Sequence, residues 1–183
     1  MTSPASVGGH DRLRLFCGFR LQVSTVDELE RWQGSSLLRG RVVPRGNLHV
    51  TLAFLGSRPA GDLPAVAEAL RTAAAGVERP VFRVVRYRET RSVGMLVLEE
   101  DGDRAGRLAE DLHHRLEALG VYRRETRPWL PHITVVRFRE RPRLSPEIPE
   151  LGAFGPSDVA VYHSALSPSG AQYTVLESAP LGG

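Results

Sequence analysis

Leu48-His49-Val50-Thr51-Leu52-Ala53-Phe54-Leu55-Gly56, residues 48–56, is an apolar stretch that carries one histidine and, two positions later, one threonine. The pattern recurs 83 residues further on as His132-Ile133-Thr134-Val135. Because successive side chains of a β-strand point to opposite faces, each histidine shares a face with its threonine, and the aliphatic residues beside them point to the other face. The repeat therefore predicts two similar strands, each with an imidazole and a hydroxyl on one side and a core on the other.

Further strands and helices are predicted on both sides of this repeat. Runs of apolar and β-branched residues predict strands at residues 13–21, 48–56, 81–87, 93–99, 132–138, 158–166 and 171–176. Helical spacing predicts three helices. The first begins at a capping box of Thr25 and Glu28, the second is capped by Asp62, and the third spans residues 104–119 and ends at Gly120. Because strands dominate and helices are interspersed, the pattern indicates an α+β fold with a largely antiparallel sheet.

Length and composition set the broad class. The 183 residues correspond to about one domain; residues 1–11 are predicted to be a disordered tail and residues 12–183 a single domain. A net charge of +3, from 24 basic residues that are all arginine and 21 acidic ones, permits an anionic partner without requiring one. Cys17, the single cysteine, excludes a disulfide framework and a cysteine-rich zinc site. No apolar run approaches the ~20 residues of a membrane span, so we expect a cytoplasmic protein without membrane contact.

Two such strands meeting side by side would form a cleft with two imidazoles and two hydroxyls. A neutral histidine can take a proton from an attacking oxygen while a protonated one donates to the leaving oxygen, and the ordinary histidine pKa suits both tasks. Threonine hydroxyls can stabilise the charge that builds on non-bridging phosphate oxygens. Histidine and threonine two positions apart are not a metal-ligand pair, so no metal site is expected. The cleft therefore suits phosphodiester chemistry without a metal.

These residues resemble the 2H phosphoesterase superfamily and, within it, the bacterial RNA 2′,3′-cyclic phosphodiesterase family, also called 2′–5′ RNA ligase. The resemblance covers most of the chain: residues 14–16, 47–56, 131–137 and 162–166, with Gly170 and Tyr173. It implies a bilobal α+β fold with two mostly antiparallel sheets, flanking helices and pseudo-twofold symmetry. Each lobe is then expected to contribute one motif to a central groove.

The resemblance also implies an activity. That activity is the hydrolysis of a terminal 2′,3′-cyclic phosphate on RNA or a nucleotide to a 2′-phosphate, with no metal or other cofactor. Run in reverse, the chemistry joins RNA ends through a 2′–5′ bond. The implied catalytic set is His49, Thr51, His132 and Thr134. Our hypothesis makes His49 the proton donor and His132 the proton acceptor, although the repeat is symmetric and does not order the two roles. We expect a monomer.

Substrate contacts are expected from residues near the motifs. Arg137 matches the family's arginine after the second motif, and the resemblance implies that it binds phosphate together with Thr51 and Thr134. It lies five residues after His132, so strict alternation would turn it away and a bulge or the strand end must bring it back. Otherwise Arg127 or Arg45 would supply the charge. Three aromatic residues could stack a terminal base: Phe54, Trp129 and Tyr173.

Three other interpretations stay open on the sequence. An enzyme of the same superfamily could act on 2′–5′-linked oligonucleotides or small cyclic phosphates. A non-catalytic module could bind RNA ends, although binding calls for arginine and aromatic residues rather than two titratable groups. A structural protein could keep both histidines as buried hydrogen-bonding groups.

Overall fold

A computed structural model describes residues 11–182, which form eight strands, three α-helices and two short 3₁₀ helices, Arg45–Asn47 and Ala60–Asp62. The strands are β1 (Arg12–Leu21), β2 (Arg41–Val42), β3 (His49–Pro59), β4 (Phe82–Glu89), β5 (Val93–Glu100), β6 (His132–Arg137), β7 (Pro156–Ser167) and β8 (Gly170–Ala179). The helices are α1 (Val23–Ser36), α2 (Leu63–Ala75) and α3 (Arg104–Ala118). The predicted tail, residues 1–11, lies outside the described residues except for Asp11, whose carbonyl accepts a hydrogen bond from the Ala60 amide.

The strands form a curled sheet in the order β4-β5-β6-β3-β1-β7-β8, with β2 paired to β6 beside this path. Every described pairing between named strands is antiparallel, so the predicted α+β class with antiparallel sheet is confirmed. The two predicted sheets are joined rather than separate: β4, β5 and β6 form one part, and β3, β1, β7 and β8 form the other. Their junction is one residue pair, Val50 in β3 and Ile133 in β6. Both side chains are fully buried in the same core, which holds the two backbones within pairing distance.

The three helices cover one face of the sheet. Leu29 of α1, Leu70 of α2 and Leu108 of α3 pack into one core with Val50 and Ile133. The opposite face carries a small separate cluster of Phe16, Ala160, Tyr162 and Tyr173, but no α-helix of the described residues. This arrangement leaves an open cleft on the face that the motif histidines are predicted to occupy. No helix within residues 11–182 has the length and apolar character needed to cross a bilayer.

The predicted helix ends are partly correct. The predicted capping box of Thr25 and Glu28 is wrong. Helix α1 begins at Val23, Thr25 is buried, and Glu28 pairs with Arg31. Because β1 continues to Leu21, only Gln22 separates the strand from the helix, and the helix starts before Thr25. Asp62 does occupy the position before α2, but its carboxylate pairs with Arg58 instead of capping the helix.

The predicted end of α3 is confirmed. The helix finishes at Ala118, and Gly120 follows with φ of 69°, a backbone conformation that glycine adopts without a Cβ penalty.

Candidate active site

The pairing of β3 with β6 brings the two repeated motifs together. Val50 lies opposite Ile133 in an antiparallel register. Extending that register by one residue in each direction places His49 opposite Thr134 and Thr51 opposite His132. Because Val50 and Ile133 point into the core, the four motif side chains share the open face. All four are half-buried, so the cleft holds two imidazoles and two hydroxyls related by a local twofold axis.

Backbone carbonyls fix the orientation of both imidazoles. Nδ1 of His49 donates to the Asn47 carbonyl at 2.7 Å, and Nδ1 of His132 donates to the Leu130 carbonyl at 2.8 Å. A carbonyl only accepts, so each Nδ1 carries the hydrogen and each Nε2 is the nitrogen that can exchange a proton. Nε2 of His49 lies 2.8 Å from Oγ1 of Thr51, which donates to it when the imidazole is neutral.

His49 rests on an aromatic cluster. The ring centroids of Phe16, Tyr173 and Tyr162 lie 4.8, 5.4 and 5.6 Å from its own. Loss of solvation lowers the pKa of His49 to about 4, and repulsion from His132 and Arg137 adds to this, while the Asn47 carbonyl opposes it. At neutral pH the His49 imidazole of the ligand-free protein is therefore uncharged.

Each motif contains a β-bulge immediately after its threonine. Along β3, Ala53 pairs with Cys17 and Thr51 with Gly18, which leaves Leu52 without a partner in β1. Along β6, Val135 is skipped in the same way by its partners in β5. An extra residue reverses the alternation of faces beyond it. Phe54 and Arg137, each five residues after its histidine, therefore turn back to the open face, as the sequence required of Arg137.

A buried side chain from a helix holds each bulge. Nε2 of His113 in α3 donates to the Leu52 carbonyl at 2.8 Å, and Nε2 of Gln33 in α1 donates to the Val135 carbonyl at 2.8 Å. Both donors are almost fully buried. The two motifs thus use different residues for the same task. Sequence reasoning found neither of them, because one polar residue within a helix does not indicate which carbonyl it meets.

Replacing Gln33 by methionine is expected to lower the free energy of unfolding by about 1–3 kcal/mol, since the change removes a donor shared by two buried carbonyls. The second acceptor is the Val43 carbonyl, at 3.0 Å. Urea unfolding of the purified variant measures the loss. Gln172→Met, at an exposed position of β8, is the matched control, and an equal loss in both variants would contradict the assignment.

A pocket of about 490 Å³ opens beside the motifs. His49, Thr51 and Thr134 form part of its wall, and His132 stands next to it, opposite Thr51. Its wall contains three arginines and no acidic residue, and within residues 11–182 none of the three forms an ion pair: Arg14, Arg41 and Arg137. The pocket is therefore strongly positive and suited to an anion.

The other predicted phosphate-binding arginines are engaged elsewhere. Arg45 pairs with Asp27 at 2.8 Å and Glu30 at 2.7 Å, and Arg127 pairs with Glu125 at 2.7 Å. Neither lines the pocket. Arg137 is the one member of the predicted trio on the pocket wall.

The predicted stacking residues divide into two kinds. Phe54 is exposed on the pocket wall with the guanidinium of Arg14 at 4.8 Å from its ring centroid, and Tyr173 lines the pocket against His49. Trp129 is not on the wall. Its ring packs against the core and its Nε1 donates to the Thr51 carbonyl at 3.0 Å, so it supports the first motif instead of offering a surface for a base.

Three pocket residues were given no role from the sequence. Arg14 lies on β1, and Arg41 lies on β2, whose two residues are too few to show a strand pattern. Asn47 joins the β7–β8 hairpin to the first motif: its Nδ2 donates to the Ala171 carbonyl at 2.8 Å and its Oδ1 accepts from the Tyr173 amide at 3.2 Å. The hairpin thereby helps to hold the carbonyl that orients His49. A metal-binding group of three or more His, Cys, Asp or Glu side chains is absent from residues 11–182.

Comparisons with known proteins extend these observations. A family model described as LigT-like phosphoesterase matches residues 21–92. The chain is 31% identical to TT0787 of Thermus thermophilus, with a TM-score of 0.77 over 93% of this chain and 99% of that one. It is 22% identical to E. coli LigT complexed with NADP+, with a TM-score of 0.79 over 94% and 100% of the two chains. No curated protein matches the chain in sequence. The likeness spans nearly the whole chain, so both lobes of the fold are shared.

Proposed function

The chain belongs to the LigT-like phosphoesterase family of the 2H phosphoesterase superfamily, and on that premise we propose that it hydrolyses the terminal 2′,3′-cyclic phosphate of RNA to a 2′-phosphate. The observation that carries the proposal is the meeting of two His-x-Thr motifs across the Val50–Ile133 pair, beside a pocket lined by arginines. E. coli LigT has been crystallised with NADP+, ATP, 3′-AMP and phosphate. These ligands of a structural neighbour support a nucleotide or nucleotide end as the occupant here.

The two imidazoles are assigned complementary proton transfers. Nε2 of His132 accepts a proton from water as the water oxygen bonds to phosphorus. The bond between phosphorus and O3′ breaks, and Nε2 of His49 donates its proton to the departing oxygen. The product carries a 2′-phosphate and a 3′-hydroxyl, and one proton has moved from His49 and one to His132. Attack by a 5′-hydroxyl instead of water forms a 2′–5′ bond by the same steps.

Charge on the phosphate oxygens is stabilised by neighbouring donors. The hydroxyls of Thr51 and Thr134 point into the cleft from opposite strands, and Arg137 brings a guanidinium to the same wall. Preorganised donors of this kind stabilise a transition state because they need not reorganise as charge builds. Phe54 and Tyr173 are assigned to the terminal base, since aromatic rings on a pocket wall stack bases with little sequence preference.

Incubation with 2′,3′-cyclic AMP and with an RNA that ends in a 2′,3′-cyclic phosphate tests the proposal. We expect both to be hydrolysed with the phosphate left on the 2′ oxygen, which phosphorus NMR or chromatography against authentic 2′- and 3′-phosphates identifies. Because imidazoles are assigned the proton transfers, turnover is expected to persist in excess chelator.

Three results would count against the proposal. A product with only 3′-phosphate would contradict the assigned leaving group. Turnover lost on chelation and restored by zinc or magnesium would contradict the acid–base assignment. Turnover confined to 2′–5′-linked oligonucleotides would identify a different substrate for the same site.

A further inference from the structure

The edge strand β4 carries two arginines in line with the catalytic motifs. Arg86 pairs with Val97 of β5, which pairs with His132 of β6, and Arg88 pairs with Met95, which pairs with Thr134. Residues directly opposite one another in an antiparallel sheet share a face. Arg86 and Arg88 therefore belong to the face that carries the cleft.

Burial of the neighbouring residues agrees with this placement. Val97 and Met95 are buried but lie outside the main core under the helices, as expected for the open face beneath long side chains. Tyr87, between the two arginines, packs against that core instead. Arg86 and Arg88 are both exposed, so their guanidinium groups are accessible from the cleft side.

The charge of this edge is not compensated. Neither Arg86 nor Arg88 forms an ion pair with another residue in the described part of the chain. Both also border a shallow depression at the outer edge of β4, together with Arg141. The acidic group there, Glu89, has a side chain only 2% exposed, and its oxygens accept from Arg141 and from the amides of residues 143 and 144. Among the described residues of this edge, exposed acidic side chains lie at the far end, where Arg83 faces Glu99 and pairs with Asp101 at 3.6 Å.

The geometry sets where a bound strand can leave the pocket. Arg41 donates to the Ser169 carbonyl at 2.6 Å and so links β2 to the β7–β8 turn on one side of the pocket. On the other side, two strand spacings, roughly 10 Å, separate β6 from β4. This short path leads from the reacting phosphate over Val97 and Met95 to the two arginines.

We propose that Arg86 and Arg88 bind backbone phosphates of the RNA strand on the 5′ side of the reacting end, which makes the protein select oligonucleotide ends over mononucleotides. The inference rests on the proposed function for the identity of the strand. Guanidinium groups suit this task because they hold phosphate oxygens bidentately, and contacts to phosphate carry no sequence information. This pair of arginines, Arg86 and Arg88, is called the arginine track. It predicts that the protein prefers longer RNA ends but does not prefer a particular sequence.

The proposed role of Arg86 and Arg88 is tested by measuring the binding of a short single-stranded RNA with a 2′-phosphate end. Fluorescence anisotropy gives the binding constant at several KCl concentrations. Each phosphate contact to a single strand contributes about 0.7 to the slope of log K against log salt, so R86Q/R88Q is expected to reduce the slope by about 1.4. At low salt we expect R86Q/R88Q to bind this RNA about three- to tenfold more weakly than the unaltered protein does. Arg107→Gln on α3 removes the same kind of charge from the helical side of the molecule and serves as the control.

Turnover separates this inference from the proposed function. We expect R86Q/R88Q to lower kcat/KM several-fold more for the oligonucleotide than for 2′,3′-cyclic AMP. An unchanged salt slope, or a slope that Arg107→Gln changes by as much per charge removed, overturns the role of Arg86 and Arg88 whatever the turnover. If the unaltered protein hydrolyses neither substrate while the slopes differ as expected, the proposed activity fails and the track stands.

Discussion

Replacement of His132 by alanine is expected to lower kcat/KM for 2′,3′-cyclic AMP by about 10²–10⁴-fold, the usual contribution of a positioned general acid or base. The Nε2 atom of His132 has no hydrogen-bond partner among the described residues, and the side chain is only half-buried. The variant should therefore fold with little loss of stability. Steady-state kinetics and urea unfolding together distinguish lost chemistry from lost structure.

The same range of loss is expected for His49, with a different effect on folding. His49 packs on Phe16 and Tyr173, so alanine there also opens a cavity, and His49→Gln fills more of the space while removing the titrating group. His114→Ala, at an exposed position of α3, is the control for both. Near-native turnover in a folded variant at either position would remove that histidine from the mechanism.

The sequence was most informative where periodicity and chemistry coincide. Alternation in residues 49–52 and 132–135 placed imidazole and hydroxyl on one face, and the structure has that arrangement. Arg137 shows the limit of the same rule. Alternation turned it away from the cleft, and only the bulge at Val135, which depends on pairing with β5, brings it back. Register with a distant strand is not encoded in the local pattern.

Other features depended on contacts that no local pattern indicates. Trp129 is aromatic and so was predicted to stack a base. In the structure its segment lies beside β3, and its indole N–H donates to the Thr51 carbonyl. Thr25 and Glu28 have capping-box spacing, yet the end of β1 sets where α1 begins. Arg86 and Arg88 gain significance only from the strands that separate them from the motifs. In each case tertiary placement decides the role.

The proton-donor role assigned to His49 makes a demand that the ligand-free protein does not meet. With a pKa of about 4, only about one imidazole in 10³ is protonated at pH 7. A bound phosphate changes this, because a negative charge about 4 Å away stabilises the imidazolium by roughly 4 kcal/mol at an effective dielectric constant near 20. Since about 1.4 kcal/mol corresponds to one pKa unit, the anion should raise the pKa by about three units, to about 7.

Sulfate tests this shift, because it resembles phosphate and keeps its charge over the relevant pH range. Followed by histidine-resolved NMR between about pH 5 and 8, the His49 imidazole is expected to stay neutral in the free protein and to be protonated at pH 7 with saturating sulfate, whose two negative charges stabilise the imidazolium at least as much as a single charge does. Binding then takes up a proton, so sulfate affinity should rise as pH falls through 7, while the His114 resonance on α3 reports any general effect of salt. Titration of His49 near its ordinary pKa without sulfate would contradict the desolvation by Phe16, Tyr162 and Tyr173. A His49 that stays neutral with sulfate bound cannot donate the proton to O3′, and the donor role would pass to His132.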